Sequence, residues 1–283
     1  MGLDANVMCN CYRGGLQVPP ELQGLIVFDD EGYLSLKPSC DNDDTLQDVF
    51  YAWTQNACPH EDMRMAQERI ANWTGVREFK GILKELGPWK FWTLLREIPK
   101  VNGGTTHPRK AKKMLKELEN FQALKDLGRK FVLLDEETDN EICAWSGSGA
   151  DPFVFSGKED LVLALDKTGF VIFRSNRAIF RSQEFTQELL EPQKTENWEY
   201  GRVKFIDQAS GETVECFLAV AGEEIPWPNG SWENEKGQVR LRYPSRFRTE
   251  WRKRTPDDYR ALTTSLRTVC QASVDSGNPI RWA

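Results

Sequence analysis

Histidine is almost absent from this chain, with two examples in 283 residues, His60 and His107. Any chemistry that needs an imidazole must therefore use one of them. The chain also lacks a run of the roughly 18 apolar residues that a membrane-spanning helix requires, so no membrane association is expected. The N-terminus has no basic stretch followed by an apolar run, so the sequence predicts no secretory signal and a cytoplasmic location.

A broad excess of basic residues is missing too. The 37 Lys and Arg are outnumbered by 43 Asp and Glu, which gives a net charge of −6. Nucleic-acid-binding proteins usually carry the opposite balance, so nucleic acid is the less favoured partner. Much of the negative charge lies between residues 29 and 62, where nine Asp or Glu accompany one Lys for a local charge of −8. This segment predicts an acidic surface that attracts a basic partner.

The cysteines indicate a metal site. There are seven, an odd number that does not suit complete disulfide pairing. In a reducing compartment they are expected to be free thiols or metal ligands. The pairs Cys9-x-Cys11 and Cys58-x-His60 together offer three thiolates and one imidazole, which are ligand types of four-coordinate zinc. The alternative is that the two early cysteines fill the core from one strand, Cys58 caps a helix and His60 lies exposed.

The number of ligands decides what such a zinc ion would do. Four protein ligands close the coordination shell, so the predicted site is structural rather than catalytic. An alternative gives Cys58 a catalytic role. Pro59, Glu61 and Asp62 favour a helix that begins at Cys58, whose thiolate the helix N-terminus would stabilise. His107 would then be the histidine free to act as base.

A nucleic-acid interface is the third hypothesis. Residues 240–254 contain six Arg and one Lys against one Glu, interleaved with aromatic residues. Arginines contact phosphates and aromatic rings stack on unpaired bases. The candidate residues are Arg240, Arg242, Arg246, Arg248, Trp251 and Arg252. The competing interpretation is that these arginines lie on an exposed strand and loop and pair with the acidic segment of residues 29–62, within the protein or on a partner.

The periodicity of the chain predicts an α+β fold. N-terminal strands, including a hairpin over residues 25–36, precede a helical section in which residues 108–124 form one apolar stripe. After Gly128 the pattern changes to mainly antiparallel strands and ends with a helix that begins near Thr255. The predicted division is residues 1–128 and 129–283, with one continuous domain as the alternative.

Four short motifs carry a resemblance. The chain opens with Met1-Gly2-Leu3-Asp4-Ala5, contains the two cysteine motifs described above and closes with Ser273-Val274-x-Ser276-Gly277-Asn278-Pro279-Ile280-Arg281-Trp282. In these motifs it resembles a group of uncharacterised bacterial proteins of similar length, for which no activity is known. The resemblance implies a bacterial cytosolic protein and a pairing of the two cysteine motifs, without a mechanism.

These observations predict a binding or regulatory protein of an immunity-like kind. It would engage another protein through the acidic segment and through loops rich in tryptophan, such as residues 225–232. An enzyme dependent on cysteine or metal, and a nucleic-acid-binding accessory protein, are the alternatives.

Overall fold

The chain forms two compact units. The computed structural model describes residues 2–40, 42–145, 153–156, 160–191, 198–221, 224–225, 231–235 and 238–283. The first unit comprises Met1–Leu127 together with Thr255–Ala283, and the second comprises Gly128–Arg254. The second unit is therefore continuous in sequence and interrupts the first.

Helices and antiparallel strands are both abundant, which confirms the predicted α+β class. The helices in the described part of the chain are α1 (Asp44–Asn56), α2 (Trp73–Glu85), α3 (Trp92–Glu97), α4 (Pro108–Gln122) and α5 (Arg260–Ser276). The strands in the same residues are β1 (Gly2–Met8), β2 (Ile26–Phe28), β3 (Leu34–Leu36), β4 (Arg64–Asn72), β5 (Thr105–Thr106), β6 (Arg129–Asp135), β7 (Glu141–Trp145), β8 (Phe153–Ser156), β9 (Leu161–Asp166), β10 (Gly169–Arg174), β11 (Arg177–Ser182), β12 (Glu184–Leu189), β13 (Trp198–Asp207), β14 (Thr213–Ala221), β15 (Ser231–Glu235), β16 (Gln238–Arg242), β17 (Arg246–Lys253) and β18 (Ile280–Trp282).

The first unit is built on a four-stranded antiparallel sheet in the order β4-β1-β18-β5. Strand β1 is central, and its Val7 pairs with Ile280 on one side and Ala66 on the other. Alternate residues of β1, including Leu3 and Ala5, are fully buried because they face the helices. The predicted hairpin is present as β2 and β3.

Aromatic side chains from three elements meet in the core of the first unit. The ring of Phe121 lies 5.2 Å from that of Phe79 and 5.9 Å from that of Tyr259, centre to centre. Helix α4 contributes Phe121 because its apolar residues recur every three or four positions. His107 caps α4 and Pro108 occupies its first turn, so this helix begins where the sequence predicts.

The C-terminal helix belongs to the first unit, which corrects the predicted inclusion of residues 255–283 in the second. Leu266 and Val269 of α5 are fully buried in the same core as Phe121. Strand β18 completes the attachment by pairing with β1. Hydrophobic burial and strand pairing over a long sequence separation therefore decide the partition.

The second unit encloses its own core between two antiparallel sheets. One sheet has the order β14-β13-β12-β17-β6-β7 and the other β11-β10-β9-β8. Phe170 of β10 stacks on Phe185 of β12 with 4.4 Å between ring centres. Phe185 in turn stacks on Phe247 of β17 at 4.8 Å. The first contact joins the two sheets and the second links neighbouring strands of one sheet, and all three rings are fully or almost fully buried.

Lys80 joins α2 to the end of α3 and provides a testable titration. Its Nζ donates a hydrogen bond to the Ile98 carbonyl at 2.6 Å. Burial lowers the pKa of Lys80 to about 8, and the charges of Lys100 and Lys84 act in the same direction. We expect a side-chain NMR titration of Lys80 to have its midpoint near pH 8 and to shift upward in Lys100→Gln.

The same shift has a defined effect on stability. The ordinary lysine pKa is 10.5, so between about pH 8 and 10.5 the unfolded chain holds more protons at Lys80 than the folded chain. The contribution of this residue to the free energy of unfolding therefore rises with pH across that window. A measured midpoint above pH 10 would contradict the burial of this ammonium group.

Candidate metal centre

Three thiols and one imidazole meet in the first unit. The ligand atoms of Cys9, Cys11, Cys58 and His60, here named the Cys3His cluster, all lie within 4.8 Å of one another. The Sγ atoms of Cys9 and Cys58 are 3.8 Å apart. His60 Nδ1 lies 3.4 Å from Cys11 Sγ and 3.7 Å from Cys58 Sγ. The four residues that the sequence predicts as zinc ligands are therefore close together in space, in an arrangement able to hold a metal ion.

A tight turn, rather than a strand, presents the first pair of cysteines. Strand β1 ends at Met8, before Cys9. The chain then reverses: Gly14 N–H donates to the Asn10 carbonyl at 2.9 Å, and Leu16 N–H to the Cys11 carbonyl at 3.3 Å. The alternation of side chains in residues 6–12 predicts a strand through both cysteines, and that prediction is wrong beyond Met8. The turn itself aims both sulfur atoms at the cluster.

The second pair lies in an irregular connection between α1 and β4. The predicted helix start at Cys58 is wrong, because α1 has already ended at Asn56 and only a single 3₁₀ turn, Glu61–Met63, follows before β4. Local signals for a helix are overridden by the pairing of β4 with β1. The backbone N–H of Cys9 donates to the Met63 carbonyl at 2.8 Å, which fastens the two halves together.

Backbone strain is stored beside the cluster. Asp62 and Met63 have φ angles of 48° and 56°. Asp tolerates this left-handed region, whereas for a bulky residue such as Met it is uncommon. Met63 is held there because its side chain is 1% exposed. A strained residue persists only where its surroundings fix it, so the second half of the cluster is firmly positioned.

The C-terminal motif supports the first turn, which the sequence alone did not indicate. Gly277 has a φ of 72° and ends α5 with the left-handed conformation that favours glycine. Asn278, 1% exposed, then donates to the Met8 carbonyl at 2.8 Å and to Asn10 Oδ1 at 2.9 Å. Because these contacts span more than 260 residues, the closing motif and the first cysteine motif form one structural feature.

Burial within the cluster is uneven. Cys9 is 4% exposed, while the other three members are partly exposed. Burial raises the pKa of the Cys9 thiol to about 12, and side-chain hydrogen bonding with Cys11 and Cys58 also raises it. Without a cation this thiol is protonated near neutral pH and is a weak nucleophile. A bound metal ion would instead stabilise its thiolate.

Cys58 and His107, the alternative catalytic pair, are not in contact in the described part of the structure. Cys58 approaches Cys9 and His60, and it has no helix N-terminus to stabilise its thiolate. His107 lies at the start of α4, where its Nδ1 accepts a hydrogen bond from the Arg109 N–H at 3.2 Å. The histidine beside Cys58 is therefore His60, and His107 has a local role as a helix cap.

The arginine-rich segment is occupied by ion pairs within the second unit. Arg248 and Arg252 of β17 both contact Asp139 and Glu250, and Arg246 contacts Glu136 at 3.1 Å. Arg252 and Arg248 hold the pKa of the Asp139 carboxyl below its usual range by hydrogen bonding and charge.

Trp251, Arg240 and Arg242 are the other candidate residues of the arginine-rich segment. Trp251 is 41% exposed and packs against Phe131, 5.2 Å between ring centres. Arg240 and Arg242 lie in β16, but their side chains are outside the described part of the structure. The arginines of β17 thus pair with acidic residues of the protein, but the partners are Glu136, Asp139 and Glu250, so the predicted pairing with residues 29–62 is wrong for these arginines.

Parts of the predicted acidic surface have structural roles. Asp29 accepts hydrogen bonds from the N–H groups of Glu31 and Tyr33 in the β2–β3 turn. Asp43 caps α1, and Glu31 pairs with Arg281 at 2.7 Å. Residues 226–230 of the tryptophan-rich loop lie outside the described residues.

Comparison of this chain with protein-family models, with curated proteins and with solved structures finds no significant match. Across the described residues, none of the helices combines the length and apolar character needed to cross a membrane. The functional argument therefore rests on the geometry of the side chains.

Proposed function

We propose that this protein is a non-enzymatic binding protein whose N-terminal segment is stabilised by a structural zinc ion in the Cys3His cluster. The spacing of the ligand atoms carries the proposal. With Zn–S near 2.3 Å and Zn–N near 2.0–2.1 Å, a tetrahedron places two sulfurs about 3.8 Å apart and a sulfur and nitrogen about 3.5 Å apart. The measured distances are 3.8 Å for Cys9–Cys58, and 3.4 and 3.7 Å from His60 Nδ1 to Cys11 and Cys58.

The donor set favours zinc over other common metals. Thiolate and imidazole ligands suit zinc, whereas calcium and magnesium prefer oxygen. A disulfide is a poor alternative, because its sulfur atoms must approach to about 2.05 Å and the seven cysteines are free. A reducing compartment such as the cytoplasm would keep these thiols available.

A structural role follows from the number of protein ligands. Catalytic zinc keeps one position open for water or substrate, and four protein ligands leave none. The segment from Cys9 to Met63 also has little regular structure of its own, namely α1 and two strands of three residues each. Its small core surrounds the cluster and includes Cys9 and Met63. Metal ligation supplies the folding energy that such a small core lacks.

The proposed role is binding, and the proposed partner is a protein. The local charge of −8 over residues 29–62 supports recognition by charge. The ion pairs of Arg246, Arg248 and Arg252 argue against nucleic acid, since an incoming phosphate would have to displace a carboxylate from each.

The metal content of untagged, chelator-washed protein tests this proposal. We expect one zinc ion per chain by mass spectrometry, and less than about a tenth of that in Cys11→Ser and His60→Ala. Both lost side chains are ligands, and removal of one ligand weakens a four-coordinate site strongly.

Cys40→Ala is the matched control. Cys40 is 6% exposed and belongs to the same small core, yet it is not a member of the Cys3His cluster. This variant should retain the full metal content. Zinc-free wild-type protein that folds identically, or a different metal bound at full occupancy, would reject the proposal.

A further inference from the structure

Two tryptophans project from the surface next to α3. Trp89 is 77% exposed and Trp92 is 61% exposed, although tryptophan is highly buried on average. Beside them runs an apolar groove of about 690 Å³ lined by Lys84, Pro88, Trp92, Leu95 and Arg96, here named the tryptophan groove. All of these residues belong to the first unit.

Helix α3 has a second apolar face that the core does not explain. Its inward face is provided by Leu94, fully buried, with Phe91 and Ile98 at 2% exposure on either side. Trp92 is exposed on the other side of the helix, and Leu95, three residues later and only partly buried against the core, is its neighbour on the helix surface. Apolar side chains concentrated on an outward face are typical of an interaction site.

The groove is a rigid surface. The Glu117 carboxylate of α4 accepts hydrogen bonds from the backbone N–H groups of Thr93 and Leu94 at 2.9 and 2.8 Å, which caps the start of α3. At the other end, Lys80 Nζ donates to the Ile98 carbonyl. Because both ends are tied to neighbouring helices, little ordering entropy remains to be lost on binding.

Gly87 fixes the position of Trp89. Its φ of 119° is accessible to glycine, and a Cβ at this position would lie 3.2 Å from the Trp89 ring. The indole therefore folds back over the bare backbone of Gly87 instead of moving freely in solvent. Trp89 is thus a second exposed indole, directly after Pro88, which lines the groove.

The stretch of sequence that contains the groove residues is basic, with Glu117 of α4 directly after it. Residues 80–116 contain ten Lys or Arg and two Asp or Glu, a local charge of +8 in a chain whose total is −6. Lys84 and Arg96 line the groove itself. The Arg96 side chain is 67% exposed, and its nearest carboxylate is Glu97 at 4.0 Å, so its charge faces solvent.

We propose that the tryptophan groove binds an acidic segment of a partner protein that carries apolar side chains. The proposal deepens the binding role given above and rests on it. Tryptophan and arginine dominate the energetics of protein interfaces, and the basic rim complements carboxylates. Nucleic acid fits less well, because Pro88 and Leu95 offer neither a stacking plane nor a hydrogen bond to a base.

Selection from a random short-peptide display library tests the groove directly, since it needs no identified partner. We expect the enriched peptides to be rich in Asp and Glu and to carry Leu, Phe or Trp three or four positions apart. Their affinity should fall about 30-fold in Trp92→Ser, in line with an interface hot spot, and at least about fivefold in Lys84→Glu or Arg96→Glu.

Two variants serve as matched controls. Tyr51→Ser removes an aromatic side chain that is 60% exposed elsewhere in the same unit, and Lys125→Glu reverses an exposed charge outside residues 80–116. Both should leave peptide affinity within about twofold of wild type, as expected for residues outside an interface. Equal losses in these controls would show a nonspecific charge effect and overturn the proposal.

Further outcomes would also overturn it. One is tighter binding of single-stranded DNA than of any selected peptide, abolished by Trp92→Ser. Another is a self-association in sedimentation that the same variant removes. Zinc content measured on the same samples separates the proposals: zinc-loaded protein that enriches no acidic peptide rejects the groove alone. Peptide binding by protein that is purified without zinc, with α1 as protected from hydrogen exchange as in zinc-loaded protein, rejects the metal centre alone.

Discussion

Removal of zinc with a chelator is expected to unfold the segment from Cys9 to Met63 while the helical core of the first unit stays folded. This segment relies on a small core of seven buried residues and on a single helix longer than one turn. Structural zinc sites in small domains contribute on the order of 10 kcal/mol of apparent binding free energy. Even a fraction of that exceeds what so small a core supplies.

Hydrogen exchange followed by mass spectrometry is the appropriate measurement. Amides of α1 should lose at least about a hundredfold of protection on chelation, which corresponds to roughly 3 kcal/mol of local stability. Amides of α4 and α5 provide an internal reference, because they belong to a separate core cluster. Unchanged exchange in α1, or an equal loss in metal-loaded Cys40→Ala, would contradict a stabilising role for the metal.

The variant Phe121→Ala should lower the free energy of unfolding of the first unit by about 3–5 kcal/mol, the usual cost of removing a buried phenylalanine. Phe121 is fully buried and its ring contacts those of Phe79, Phe91 and Tyr259. These partners come from separate elements, so the cavity cannot close through a local shift.

Urea denaturation monitored by hydrogen exchange can locate this loss. Amides of α4 and α5 should report it, whereas those of β13 and β14 in the second unit act as a reference. Val101→Ala is the control, since that side chain lies in the first unit, is 71% exposed and should cost no more than about 0.5 kcal/mol. A similar effect of both variants would show that the aromatic cluster does not hold the first unit together.

The sequence predicts a helix correctly where the residues that favour a helix start and the spacing of the apolar residues indicate the same element. Helix α4 is the clearest case, because Pro108 begins it and its buried residues recur at helical spacing. The segment after Cys58 shows the limit of such signals. Pro59 and two acidic residues favour a helix there, but β4 gains a row of hydrogen bonds by pairing with β1 along most of its length. That gain depends on residues about 60 positions away, which a local pattern does not contain.

The candidate site was predictable by residue type but not by geometry. The ligand set follows from the scarcity of histidine and the spacing of the cysteines. What brings the ligands together is the reversal after β1 and the hydrogen bonds of Asn278, which come from the opposite end of the chain. In the arginine-rich segment, sequence spacing could not distinguish a free arginine from one paired to Asp139.

The central position of β1 has a consequence for the order of events during synthesis. Its neighbour β18 consists of Ile280–Trp282, so the sheet of the first unit cannot be completed until these residues have left the ribosome. The second unit needs nothing beyond Arg254 and is available to fold earlier. The turn that contains Cys9 and Cys11 is therefore synthesised more than 260 residues before Asn278, which supports it in the folded protein. In the interval the hydrogen bonds from Asn278 to Met8 and Asn10 cannot form, so this turn reaches its final arrangement only afterwards.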